Sequence, residues 1–243
     1  MKIKANNKKT NENKKKLTQN QKNYIAIGVM SAIIIAIILI VIWPYITPPY
    51  INFNADRDNI AMEKFEKEGI TDENFLDLID KTDAQKVKFT MEDGKSFTIE
   101  VYPKVAPRTC DNFLMLVDEG FYEGLTFHRV IPGFMAQGGA YDPINQMNDP
   151  VDSIKGEFSS NGFNNNLLHR RGVVSMARTT DPDSASSQFF ICYEAQSHLD
   201  GDYASFGFVT EGMETVESFY SEGTDENNVP LKEVKIKTAE RVN

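Results

Sequence analysis

The chain has 243 residues, 41% hydrophobic and 25% charged, a composition that suits a globular protein and argues against a disordered one. Three histidines and two cysteines, none in CxxC or HExxH spacing, offer no recognisable metal site. The net charge of −9 is split: eight lysines and one glutamate precede Tyr24, so the tail carries +7 and the rest −16, an acidic body that repels nucleic acid phosphates.

Residues 1–23 read as a basic tail. The next stretch, YIAIGVMSAIIIAIILIVIWPYI from Tyr24 to Ile46, holds no charge. As a helix it spans roughly 33 Å, enough for the hydrocarbon core of a bilayer. Tyr24, Trp43 and Tyr45 bracket it as interfacial aromatics. A cleaved signal peptide has a shorter apolar core, about 7–15 residues, and a small-x-small cleavage site. Here the run is longer and ends in Pro44, Pro48 and Pro49, without a lipobox cysteine. The expectation is a single-pass anchor over 24–46 in a lipid bilayer. By the positive-inside rule, the lysine tail is cytoplasmic and the acidic body extracytoplasmic.

Residues 47–83 read as an acidic, partly helical spacer, with a small docking element as the alternative. TDENFLDLIDK predicts a short helix with Thr71 as N-cap and Phe75, Leu76, Leu78 and Ile79 on one side. From about Ala84 the texture changes, and residues 84–243 form the main domain. KVKFTMEDGKSFTIEVY alternates around Asp93-Gly94, a hairpin signal. APRTCDNFLMLVDEGFY switches to helical spacing and stops near Gly120, and EGMETVESFYSE reads as a second helix. LTFHRVI, GVVSMA, SQFFICY, ASFGFV and VPLKEVKIKTAERV read as strands. Many strands, two helices and no βαβ rhythm predict a mainly β barrel or sandwich. Cys110 and Cys192 are read as two separate buried thiols, with a disulfide in an oxidising compartment as the alternative.

FHRVIPGFMAQGG places one arginine among apolar residues. An arginine there is either paired to an acid or faces an apolar groove. Strict alternation puts Phe127, Arg129 and Ile131 on one face, and His128 and Val130 on the other. Pro132-Gly133 is a turn, followed closely by Phe134, Met135 and Gln137. In SSQFFIC, Gln188 and Phe190 share a face opposite Phe189 and Ile191. The pattern describes an apolar groove with a few directed polar groups, as ligand sites are built. His128 is read as a satisfied core histidine, His169 as a surface residue, and Asp181 and Asp183 as turn residues.

FHRVIPGFMAQGG, SMARTTDPDSASSQFFI and HLDGDYASFG, in this order, resemble the signature segments of the cyclophilin family of peptidyl-prolyl cis/trans isomerases. The resemblance covers about Ala84 to Val242, and its second segment is worded like bacterial members. It implies a closed eight-stranded antiparallel barrel capped by two helices, acting on proline-containing polypeptides without cofactor or metal. Arg129 corresponds to the catalytic arginine. Phe134, Met135, Phe190 and Leu199 correspond to proline-pocket walls, and Gln137 and Gln188 to groups that hold the peptide. Ala177 and the backbone of Arg178 correspond to the edge where substrate lies extended. Tyr203 replaces a family histidine as a pocket wall. His198, at the rim, replaces a tryptophan common in eukaryotic members, which implies weakened cyclosporin binding. YDPINQMNDPVD replaces a glycine-rich loop beside the pocket. The function expected is a membrane-anchored isomerase that assists folding of extracytoplasmic proteins; the alternatives are a non-catalytic peptide-binding chaperone and an anchored scaffold.

Overall fold

The hairpin forms where alternation places it. β1 (Gln85–Met91) pairs antiparallel with β2 (Ser96–Val101), with Val87 opposite Ile99 and Phe89 opposite Phe97. The computed structural model describes residue 71 and residues 74–141 and 151–243. The expected tail, the 24–46 anchor, most of the spacer and most of the YDPINQMNDPVD loop lie outside these residues. Among the described residues no helix is long and apolar enough to cross a membrane.

After the hairpin come α1 (Pro107–Asp118), β3 (Thr126–Ile131), β4 (Met135–Tyr141), β5 (Val173–Met176), β6 (Phe189–Cys192), β7 (Ser205–Glu211), a short α2 (Met213–Glu217) and β8 (Ile236–Val242). They build one curled antiparallel sheet in the order β3-β4-β6-β5-β7-β2-β1-β8. Its two edges meet through a short ladder: an isolated bridge joins Thr126 to Lys235, and Phe127 N–H donates to Val234 O at 2.9 Å.

Inside the curl the core is aromatic. Phe89 and Phe97 stack at 5.1 Å, Phe113 meets Phe189 edge-on at 5.6 Å, and Phe127 lies 4.7 Å from Phe219. Such pairs contribute about 0.5–1.5 kcal/mol beyond the area they bury. α1 turns Cys110, Phe113, Leu114 and Val117 onto this core. Its N-cap, Ala106, has no capping side chain. Glu157, 5% exposed, caps the helix from a distant loop instead. Its carboxylate accepts from the Arg108 and Thr109 N–H groups at 3.1 and 2.8 Å and from the Thr109 hydroxyl at 2.8 Å. A carboxylate at a helix N-terminus satisfies orphan donors and complements the macrodipole.

Three features differ from the sequence-based expectation. β4, which alternation did not mark, is a strand in spite of Gly138-Gly139. Gly139 sits at φ +95°, and a Cβ there would stand 2.7 Å from Ser187 O, so only glycine permits this close strand approach. Phe127 does not share a face with Arg129. The β3–β4 register shifts between them, and this bulge sends Phe127 and Val130 to the core and Arg129 to the groove. In the TDENFLDLIDK stretch, a 3-10 turn forms over Phe75–Leu78 with Asn74, not Thr71, as N-cap. Phe75 and Ile79 are buried against Tyr102, Val105, Leu167 and Val173, whereas Leu78 is exposed.

Cys110 and Cys192 are unpaired, fully buried thiols in separate apolar clusters.

Candidate functional site

β3, β4 and β6 lie side by side, and their outward positions converge on one concavity. Gln137 pairs with Arg129 on one side and with Phe190 on the other. Phe189 and Ile191 alternate inward to the core, as the sequence predicts, and Phe190 faces out. The Pro132-Gly133 turn, with Gly133 at φ +74°, returns the chain so that Phe134 and Met135 enter the same space. Phe134 is pinned by its backbone, its N–H donating to Ile131 O and its carbonyl accepting from Tyr193 N–H at 2.9 Å.

The resulting cavity, about 130 Å³, is lined by Arg129, Phe134, Met135, Gln137 and Ala177, and by Arg178, Phe190, Leu199 and Tyr203. Its size is close to the ~150 Å³ void that holds a single benzene ring. Met135, Phe190 and Leu199 form the buried floor; Phe134, Ala177 and Tyr203 are half-buried at the sides. Tyr203 stands edge-on to Phe190, with centroids 6.0 Å apart.

Arg129 projects over this floor. Its Nη1 donates to Gln137 Oε1 at 3.3 Å, and Gln137 Nε2 donates to Gln188 Oε1 at 3.0 Å. Among the described residues no carboxylate stands within ion-pair distance of the guanidinium. A cation held only by a neutral amide keeps donors free for another acceptor. Gln188 is outside the cavity lining but completes the relay. Its segment is fixed by three bonds: Asn112 Nδ2 to Ser186 O at 2.6 Å, Tyr122 O–H to Ser187 O at 3.0 Å, and Ser187 O–H to Gly139 O at 2.7 Å.

Arg178 behaves differently. Its Nε and Nη2 donate to Asp202 O at 3.0 and 2.8 Å, and its guanidinium carbon lies 4.5 Å from the Tyr203 ring centroid. The side chain staples the loop that carries Tyr203, while the main chain beside Ala177 forms the groove edge. His198 is exposed at the rim, 5.7 Å from Phe134 between ring centroids.

His169 is not at the surface: it is fully buried beneath the pocket, bonded to Asp200 and Ser175. The adjacent Arg170 and Arg171 disguise it in sequence, yet Arg170 is itself buried against Asp200. Half-buried His128 lies on the other side of β3, beside Val229, Pro230 and Leu231. Burial pushes its pKa down to about 4, opposed by a backbone hydrogen bond at Thr126. Asp181 and Asp183 are turn residues, as read. Asp181 Oδ1 accepts Asp183 N–H at 3.0 Å, and the Gly156 N–H and Asn161 amide hold the Asp183 carboxyl below its usual range.

Comparison with known proteins bears on the family and the fold. The family model described as cyclophilin type peptidyl-prolyl cis-trans isomerase/CLD matches residues 86–241. Peptidyl-prolyl cis-trans isomerase B of Bacillus subtilis is 42% identical over 148 residues, 61% of this chain and 95% of that protein. Peptidyl-prolyl cis-trans isomerase CYP18-2 of Arabidopsis thaliana is 41% identical over 141 residues, 58% of this chain and 84% of that protein. The crystal structure of a Cryptosporidium parvum cyclophilin type peptidyl-prolyl cis-trans isomerase, in the presence of the dipeptide Ala-Pro, superposes with a TM-score of 0.56 at 28% identity. That match covers 65% of this chain and 99% of the other. Sequence and strand order lead to one conclusion: the chain belongs to the cyclophilin-type peptidyl-prolyl cis-trans isomerases.

Proposed function

We propose that the cavity beneath Arg129 binds the proline of an extended polypeptide, and that Arg129 stabilises the half-rotated X-Pro amide. The observation that carries this reading is a guanidinium over an apolar floor with a neutral amide oxygen as its partner. The amide rotates against about 18–20 kcal/mol because its nitrogen donates into the carbonyl, and uncatalysed exchange takes tens to hundreds of seconds. No bond breaks, so the requirement is tighter binding of the twisted state than of either planar isomer. As the amide twists, the prolyl nitrogen becomes basic. Arg129 donates to that developing lone pair, while Phe134, Met135, Phe190, Leu199 and Tyr203 grip the pyrrolidine ring. Gln137 orients the guanidinium and is itself oriented by Gln188. The peptide runs along the edge at Ala177 and Arg178, with His198 at the rim. In a water-poor groove such charge-assisted bonds contribute several kcal/mol.

Isomerisation of a short Ala-Pro peptide by the full-length chain, with and without Arg129→Ala, tests this. The expected loss in kcat/KM is about 10²–10³-fold, the scale of removing one preorganised donor. Equal rates for both proteins, at the uncatalysed level, would leave only peptide binding or scaffolding.

The uncharged 24–46 run and the lysine tail support a further reading: a bilayer-anchored enzyme with its domain outside the cytoplasm, serving proteins that emerge there. Protease shaving of intact cells should remove the domain and spare the tail; a domain protected until lysis would reverse the orientation.

A further inference from the structure

A buried polar cluster behind the pocket wall has no part in the chemistry above. His169 is 0% exposed. Its Nδ1 lies 2.9 Å from Asp200 Oδ1, and its Nε2 lies 3.0 Å from Ser175 Oγ. The carboxylate only accepts, so Nδ1 carries a proton, while the hydroxyl meets Nε2 in either role. Both ring nitrogens are thus engaged, and the imidazole is held against rotation.

What this fixed ring touches is the pocket. It lies nearly parallel to Phe190, 13° between planes with centroids 6.0 Å apart. Ser175 sits directly opposite Phe190 in the β5–β6 register. Asp200 follows Leu199 in the chain and also takes the His169 N–H at 2.6 Å and Arg170 Nη1 at 3.4 Å. One imidazole therefore stacks behind one pocket wall, Phe190 on a strand, and is bonded through Asp200 to the residue that follows a second, Leu199 at the end of the Ser197–Leu199 turn. Burying an ionic cluster is a poor way to gain stability alone, since well-packed apolar residues often do as well. Fully bonded polar networks do fix a single arrangement of their neighbours.

We propose that His169 is a positioning residue of the isomerase: clamped by Asp200 and Ser175, it sets the spacing of Phe190 and Leu199 and hence the grip on the proline ring. The inference rests on the reading of this cavity as the proline site. It predicts a particular kinetic signature. A loosened wall weakens binding of the ring, whereas Arg129 remains in place, so KM rises while kcat holds. A residue that merely stabilises the fold lowers the active fraction, which reduces apparent kcat and leaves KM alone.

The test measures kcat and KM for a short Ala-Pro peptide with the full-length chain and three variants. His169→Asn removes the ring but retains a donor near Asp200; the expected rise in KM is about fivefold to tenfold, with kcat within about twofold. Ser175→Ala keeps the ring and frees one nitrogen; KM should rise about twofold, and this variant decides the matter if His169→Asn does not fold. Unchanged KM in the variants that fold, whatever happens to kcat, overturns the proposal. Phe190→Ala separates the two levels. If it impairs binding while the His169 and Ser175 variants do not, only this inference falls. If it too is silent, the proline-pocket reading fails and takes the inference with it.

Discussion

Glu157→Ala should weaken the protein sharply without touching its catalysis. Three donors converge on this one buried carboxylate, two from the first turn of α1 and one from a side chain. A hydrogen bond to a charged group contributes about 1.5–3 kcal/mol. The three are not additive, and water reaches the helix end once the side chain is cut back, so the expected loss is about 3–4 kcal/mol. For a domain of this size, about 2–4 °C per kcal/mol, Tm should fall by roughly 10 °C. Glu157→Gln keeps one acceptor oxygen but turns an amide donor toward the helix; its loss should be about 2 kcal/mol. Thermal unfolding of the full-length chain, followed by near-ultraviolet circular dichroism, measures both. Arg129 and the cavity do not contact Glu157, so kcat/KM of the folded fraction should be unchanged. A Tm shift of less than about 2 °C for Glu157→Ala would show that α1 does not depend on this remote cap, and the reasoning would fail.

Phe75→Ala should cost about 3 kcal/mol, because it empties a site buried against Tyr102, Val105, Leu167 and Val173; urea denaturation reads the loss, and an unchanged midpoint would mean that the 75–79 turn is only loosely attached. Gly139→Ala should destabilise by more than about 2 kcal/mol and impair activity, since φ +95° and a Ser187 carbonyl 2.7 Å from the new Cβ leave no relaxed alternative; wild-type stability of this variant would contradict that close approach. His128 makes stability fall with acid. Its pKa of about 4 when folded is below the ordinary 6.5, so the unfolded chain binds more protons between those values, and stability is lost as pH drops from about 6.5 to 4. His128→Gln should flatten that part of the stability–pH curve, and an unaltered slope would refute the assignment.

The pocket was legible because its residues are written together. Arg129, Phe134, Met135 and Gln137 fall within nine residues, and Gln188 and Phe190 alternate as a strand should. What supports the pocket was not. Strict alternation misplaced Phe127 because a bulge consumes one residue, and bulges leave no periodic trace. β4 escaped notice because Gly138 and Gly139 carry no side chain to alternate. His169 and Glu157 escaped for another reason: the carboxylate that holds His169 is 31 residues away and the helix that Glu157 caps is 48 away, and a buried polar residue in a loop resembles an exposed one until the chain closes around it.

The two cysteines bear on where such a protein can work. Cys110 faces the aromatic interior and Cys192 lies under the pocket floor, and burial raises both thiols well above their ordinary titration range. The thiolate is the reactive species, so peroxide, glutathione and mixed-disulfide exchange find nothing to attack while the fold holds. Both thiols are consequently shielded from the redox poise around the protein, and neither is spent in a disulfide.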